Sequence, residues 1–209
     1  MPTQDKFLPE DYKEPVTSRY MKFEEGANRF RVLPAKDGKQ TLIMGWEYWK
    51  TNKENKRFPC RVKEEKIPIG ELEVNPTTGE LDMPKFFWAF AIWNYDDEAI
   101  QILEVKQKTI RQAIESLSRN PKWGTPTEYD IVVTQIVENG KTSYSVTPDP
   151  KEKLDPEVEE KYNSTTVNLD ALYGRPGTDP FASNELLEKI EDEENVGDIG
   201  LPSETLKGE

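Results

Sequence analysis

The sequence predicts a mainly β chain: an OB-fold-like small barrel with one helix, a long basic insertion and a disordered acidic C-terminal tail. Three observations lead there. Short runs of alternating apolar and polar residues recur between turn signals over residues 20–150. One amphipathic stretch interrupts them just before the last two runs. From residue 151 onward the alternation fades while carboxylates accumulate.

Residues 1–19 contain three prolines and no apolar period, which predicts an extended arm. YMKFEEGANRFRVLP (20–34) reads as a strand, a turn at Glu25-Gly26-Ala27-Asn28 and a second strand. Strand side chains alternate, so Phe30 and Val32 face one way and Arg29 and Arg31 the other. TLIMGWEYW (41–49) puts Leu42, Met44, Trp46 and Tyr48 on one face and Ile43, Glu47 and Trp49 on the other. Gly45 marks a bulge or a close backbone approach. Residues 50–85 read as an inserted loop or arm. KTNKENKRFPCRVKEEK has 7 Lys/Arg against 3 Glu and looks irregular. Pro68, Pro76, Pro84 and the turn-like NPTTGE follow.

FFWAFAIWNY (86–95) and AIQILEVK (99–106), joined at Asp96-Asp97-Glu98, form a β-hairpin signature. In KTIRQAIESLSRN, Ile110, Ile114 and Leu117 share one helical face, Thr109 and Gln112 suit a capping box, and Asn120-Pro121 ends the helix. Runs at 129–137 and 142–147 flank Glu138-Asn139-Gly140-Lys141, a hairpin signal. Pro148 and Pro150 close a domain over 20–150. A single helix before the last two strands favours a five-stranded, partly open OB barrel over an SH3-like one. Residues 151–209 cannot bury enough apolar surface to offset chain entropy and are expected to be largely disordered.

Composition narrows the chemistry. The chain has no histidine and one cysteine, Cys60. That excludes a Cys/His zinc site and any nucleophile system built on histidine. No cofactor and no enzymatic activity are expected, although carboxylate pairs formally allow a magnesium site. No apolar run approaches a membrane span, and the N-terminus does not read as a signal peptide; a cytoplasmic protein is expected. The net charge of −12 is unevenly spread. Residues 1–150 hold 22 Lys+Arg and 24 Asp+Glu, a net of −2; residues 151–209 hold 6 and 16, a net of −10. Residues 19–66 carry 13 basic and 7 acidic side chains, a local +6. A basic region with a separate acidic tail points to a polyanion as partner.

YMKFEEGANRFRVLP, GWEYW, FFWAFAIWNYDDEAIQILEVKQKTIRQAI and WGTPTEYDIVV…YSVTP, in that order, resemble bacteriophage single-stranded-DNA-binding proteins of the T4-type, OB-fold class. The resemblance spans about 20–150 and extends to the acidic tail. It implies cooperative, sequence-independent coating of single-stranded DNA, with self-association on the strand, in phage replication, recombination and repair. It also implies a tail that competes with DNA and recruits a polymerase, helicase or primase loader. The host-cell cytoplasm would be the location. Members of that class carry a zinc site in the insertion; 50–85 holds only Cys60 and no histidine, so that site is missing here.

A sequence-independent single-strand site needs cations along the phosphates and aromatic planes under the bases. The cations expected to serve are Arg29, Arg31, Lys50, Lys53, Lys56, Arg57, Arg61 and Lys63. Five phosphate contacts predict a log K against log salt slope near −3.5, at roughly −0.7 each. The aromatic candidates are Trp49, Phe58, Trp88, Trp93 and Tyr95. Alternation splits 86–95 into Phe86/Trp88/Phe90/Ile92, read as core, and Phe87/Ala89/Ala91/Trp93/Tyr95, where two alanines leave room for bases. Glu191, Asp192, Glu193 and Glu194 are the expected partner-docking acids. Removing 151–209 is expected to raise single-strand affinity. The alternative is a non-catalytic adaptor whose aromatic groove docks a partner protein.

Overall fold

The computed structural model describes residues 18–36, 39–66, 69–174 and 178–182. The chain is mainly β, with a mixed, open sheet, and divides into two compact units. The first comprises residues up to Leu42 together with Ala89–Leu154; the second comprises Ile43–Trp88 and the chain from Asp155 onward. The stretch 20–150, expected as one domain, is divided between the two units, and the second includes all of the supposed 50–85 insertion.

The first unit holds β1 (Tyr20–Met21), β2 (Gly26–Val32), the Ala89–Asn94 portion of β5 (Lys85–Asn94), β6 (Ala99–Val105), α1 (Lys108–Arg119), β7 (Asp130–Glu138) and β8 (Lys141–Pro148). Its strands run in the order β1-β6-β5-β2-β7-β8. β2 is antiparallel to both β5 and β7, with Phe30 opposite Asn94 and Ile131. Sequence reading puts a turn at Glu25-Gly26-Ala27-Asn28, but Gly26–Asn28 already belong to β2. β1 lies parallel to β6, with Tyr20 opposite Ile102. The intervening turn is fixed by Asn28, whose buried amide accepts from Glu24 N (2.8 Å) and donates to the carbonyls of Glu24, Gly26 and Val133.

α1 forms where expected and buries Ile110 and Ile114, but Thr109 and Gln112 make no capping box. The N-cap is Gln107, and its side chain caps nothing. The β7–β8 hairpin turns at Asn139 and Gly140, both with positive φ, as Asn-Gly predicts for a two-residue loop. The core of this unit includes Phe30, Ile92, Ile102, Leu103, Ile110, Tyr129, Ile131 and Val133.

In the second unit, β3 (Ile43–Thr51) pairs antiparallel with β4 (Arg57–Lys63). The basic stretch expected to be irregular thus supplies one arm of a hairpin, and the cations of that arm, Arg57, Arg61 and Lys63, share one face. Asn52 closes the turn: its Oδ1 accepts from Glu54 N and Lys56 N, and Asn55 takes a positive φ. The following segment is a built arm. It has a 3-10 turn at Ile69–Glu71 and a bridge between Val74 and Leu81 around the NPTTGE turn, where Gly79 has φ +71°.

The C-terminal stretch corrects a second expectation. α2 (Pro156–Ser164) is capped by Asp155, which accepts from Glu157 N at 2.8 Å, and buries Val158 and Tyr162. A 3-10 turn at Leu169–Tyr173 buries Leu169, Ala171 and Leu172. Spaced apolar residues in 155–173, though few, suffice to anchor a short helix once other surfaces cover them. Tyr173 donates to Met44 O, and Tyr173 and Phe87 pack within van der Waals reach of Gly45. Gly45 is therefore the close approach that its position suggested. The acids Glu191, Asp192, Glu193 and Glu194 lie outside the described residues.

Candidate nucleic-acid interface

The residues predicted to bind a strand fall into two groups. Arg29, Arg31, Trp93 and Tyr95 belong to the first unit. Trp49, Lys50, Lys53, Lys56, Arg57, Phe58, Arg61, Lys63 and Trp88 belong to the second.

In the first unit, Asp130 organises the group. Its carboxylate, itself buried, takes the Arg31 Nε–H, the Arg29 guanidinium at 2.6 Å and the Tyr95 hydroxyl at 3.0 Å. Arg31 is 2% exposed and also donates to Glu152 O at 3.0 Å. It is a structural cation and is not open to phosphate, contrary to the expectation. Alternation misleads because both faces of β2 are covered around Arg31 and Val32. Arg29 remains about half exposed, holds Asp149 at 3.2 Å and lies 4.5 Å over the Tyr95 ring. Burial opposes its charge, but Asp130 and Asp149 outweigh that and raise its pKa. Burial, with the hydrogen bond to Asp130 second, pushes the Tyr95 hydroxyl up to about 12.

The aromatic run corrects the face assignment. Phe87, Ala89, Ala91 and Trp93, expected to form the open face, are all buried, Trp93 at 5% exposed. Phe86 and Trp88, expected in the core, are half-exposed. From Ala89 to Asn94, β5 is covered on both faces, where alternation carries no information about exposure. Ala89 and Ala91 are small because that face is packed.

In the second unit the register settles the faces, because directly opposed residues of an antiparallel pair project to the same side. One face carries Gly45/Lys63, Glu47/Arg61, Trp49/Pro59 and Thr51/Arg57; the other carries Trp46/Val62, Tyr48/Cys60 and Lys50/Phe58. On the first face Glu47 is buried and binds Arg61 through Nη2 (2.8 Å) and Nε (3.0 Å). The Arg61 guanidinium also sits 5.0 Å over the Phe87 ring. Arg57 binds Asp82 at 2.6 Å and lies 5.7 Å over Trp49. Trp49 and Phe58 are half-exposed, while Lys53, Lys56 and Lys63 are exposed. On the second face Trp46 contacts Phe86 at 5.0 Å and donates to Glu64 O. Glu71 takes both the Tyr48 hydroxyl (2.9 Å) and Lys50.

The arm is thus held to the hairpin by three carboxylates, where sequence reading finds no zinc ligands to hold it. Glu71 meets Tyr48 and Lys50, Glu73 receives Thr51 N and Oγ1, and Asp82 holds Arg57. Hydrogen bonds from Lys50, then Tyr48, hold the Glu71 carboxyl below its ordinary range; those from Thr51 do the same for Glu73. These acids lie in a proline-rich stretch where no periodic pattern marks them. A hint was present in Glu71, Glu73 and Asp82 following a run rich in cations. Arg57 Nε and Trp88 Nε1 are buried and have no hydrogen-bond partner among the described residues. No group of three or more potential metal ligands occurs among the described residues.

No protein-family model matches the chain, and no curated protein matches it.

Proposed function

We propose that the protein binds single-stranded nucleic acid, DNA foremost, without sequence preference, through the β3–β4 hairpin. One observation carries the reading: the register sets half-exposed Trp49, Arg57 and exposed Lys63 on one hairpin face, with Lys53 and Lys56 exposed at the turn. An aromatic plane accepts any base, and the lysines supply phosphate contacts. Arg31 and Trp93 drop out of the site and serve the fold.

The OB reading of the first unit rests on strand order. β2 lies between β5 and β7, and α1 sits between β6 and the final hairpin, as in a five-stranded OB barrel. Phe23, just after β1, contacts Tyr144 of β8 at 6.0 Å, so side chains bridge the two ends of the open sheet. The resemblance to phage strand-coating proteins supports roles in replication, recombination and repair, with residues beyond 182 recruiting replication proteins. Because 155–173 is folded, the tail is cut after Ala182, not at 151. The shortened chain is expected to bind more tightly if the tail competes with DNA.

The test is tryptophan fluorescence on titration with oligo-dT at two salt concentrations. Salt-sensitive quenching that weakens in Trp49→Leu supports the reading; no response rejects it. A second reading, protein docking, is favoured by the arm, where Ile69, Val74, Leu81 and Met83 are exposed. Under that reading, oligo-dT leaves the fluorescence unchanged.

A further inference from the structure

We propose that a cleft in the first unit, between β1–β6 and β7–β8, receives one unstacked nucleotide of the bound strand, base inward and phosphate at the lip. The cleft has a volume of about 430 Å³. That falls within the ~300–1,000 Å³ of small-ligand sites. Tyr20, Phe23 and Tyr144 supply its rings, Gln107 and Gln135 its amides and Lys22 its exposed cation. Gln135 and Tyr144 are directly opposed in the β7–β8 register and so project together. The Phe23 and Tyr144 rings meet at 57°, tilted and not stacked face to face.

The lining selects the ligand. An apolar guest would strand the two amides, each with donors and an acceptor to satisfy. An acidic guest placed deep in the cleft would meet Glu104, which also lines it and stands 3.9 Å from Lys106. Gln107 Oε1 accepts from Lys106 N at 3.2 Å, which leaves the Gln107 NH2 donors for a ligand acceptor. A nucleobase answers each feature: a π-face for the rings, a mixed donor–acceptor edge for Gln107, Gln135 and Glu104, and an attached phosphate for Lys22. The source of the nucleotide rests on the single-strand reading above; the cleft itself is separate from the β3–β4 hairpin.

The experiment titrates the full chain with dTMP and follows backbone amide shifts by NMR. Saturable shifts at 22–23, 104–107, 135 and 144 are expected. Tyr144→Leu keeps apolar volume but removes the plane and should weaken them by about 5- to 150-fold, the loss of one stacked base. Gln135→Ala is the second variant should Tyr144→Leu melt early by circular dichroism, and it should weaken them too. Shifts that are absent at the solubility limit of dTMP, confined to 46–63, or unchanged in both variants overturn the proposal. Oligo-dT quenching at full strength in Tyr144→Leu overturns the cleft and leaves the hairpin reading standing. Cleft shifts with dTMP but no oligo-dT quenching sink the single-strand reading alone. An oligo-U arm beside oligo-dT separates an RNA source from a DNA one.

Discussion

Salt is the sharpest perturbation of the proposed interface, because the ion pairs fix how many cations remain to meet phosphates. Eight cations were candidates along the strand, with about five expected to meet phosphates for a slope near −3.5. Arg31 is sealed on Asp130; Arg61 and Arg57 are 14% and 24% exposed and clasped by Glu47 and Asp82. Lys50 is committed to Glu71, and Arg29 to Asp130 and Asp149. Lys53, Lys56 and Lys63 remain exposed; Lys56, though 3.2 Å from Glu54, is 77% exposed, and such a pair is weak. Three contacts at roughly −0.7 each give a slope of about −2, against about −5.6 for all eight. Between 50 and 200 mM salt the first case loses about 20-fold in affinity and the second over about 2,000-fold. Anisotropy of labelled oligo-dT over that range separates them. A slope steeper than about −4 would refute the reasoning, since phosphates would then have to displace carboxylates from the arginines.

Substitutions and pH probe the interior of each unit and the hairpin ring separately. Asp130→Asn removes the counter-charge of a buried arginine and should cost about 3–5 kcal/mol, read from urea unfolding; a loss below about 1 kcal/mol would mean Arg31 finds other partners. Trp49→Leu should weaken oligo-dT by about 1–3 kcal/mol with unfolding unchanged, whereas Trp93→Leu should lower stability instead. Glu71 and Glu73 have folded pKa values below the unfolded ones, so the clasp they make is complete above the ordinary glutamate range and fades as pH falls through the lower folded values. Acid unfolding should lose part of this step in Glu71→Gln. Tyr95 runs the other way: its hydroxyl, raised to about 12, favours folding below pH 10 and loses that contribution as pH climbs through 12, visible as a late phenolate absorbance step. Gly45→Ala drives a Cβ into Val62 O and to 2.9 Å from the Tyr173 ring, and should destabilise the second unit in proteolysis.

Legibility followed the kind of signal. Turn chemistry was readable: Asn139-Gly140, NPTTGE and the Ile110/Ile114 helix face appear where local rules put them, because such features depend on a few neighbouring residues. Strand exposure was not. Alternation says which side chains share a face, and for Trp49 with Glu47 it did so correctly. It does not say which face is covered, and in β5 beyond Trp88 both are. The second arm of the basic hairpin was missed because its first three residues after the turn, Arg57, Phe58 and Pro59, look like loop and because Pro59 lacks a ladder donor. The helix Pro156–Ser164 was missed because its own apolar content is low; its anchors Val158 and Tyr162 act only in tertiary context.

The distinction that mattered most was available in the letters of the sequence. All eight cations were weighed alike, yet the arginines and lysines part company. Arg29, Arg31, Arg57 and Arg61 each meet a carboxylate, and two of those carboxylates, Asp130 and Glu47, are buried. The planar guanidinium can fork onto a carboxylate and lie over a ring at once, as Arg61 does between Glu47 and Phe87. Lys53, Lys56 and Lys63, strongly hydrated point charges on flexible stems, stay in water. Among the described residues, Asp130, Asp149, Asp82, Glu47 and Glu115 are thus paired with arginines. Within the hairpin, the charge left for a polyanion is therefore that of Lys53, Lys56 and Lys63. On the proposed single-strand reading, such an arrangement leans on stacking more than on charge, so binding should persist at salt concentrations that strip a purely cationic groove.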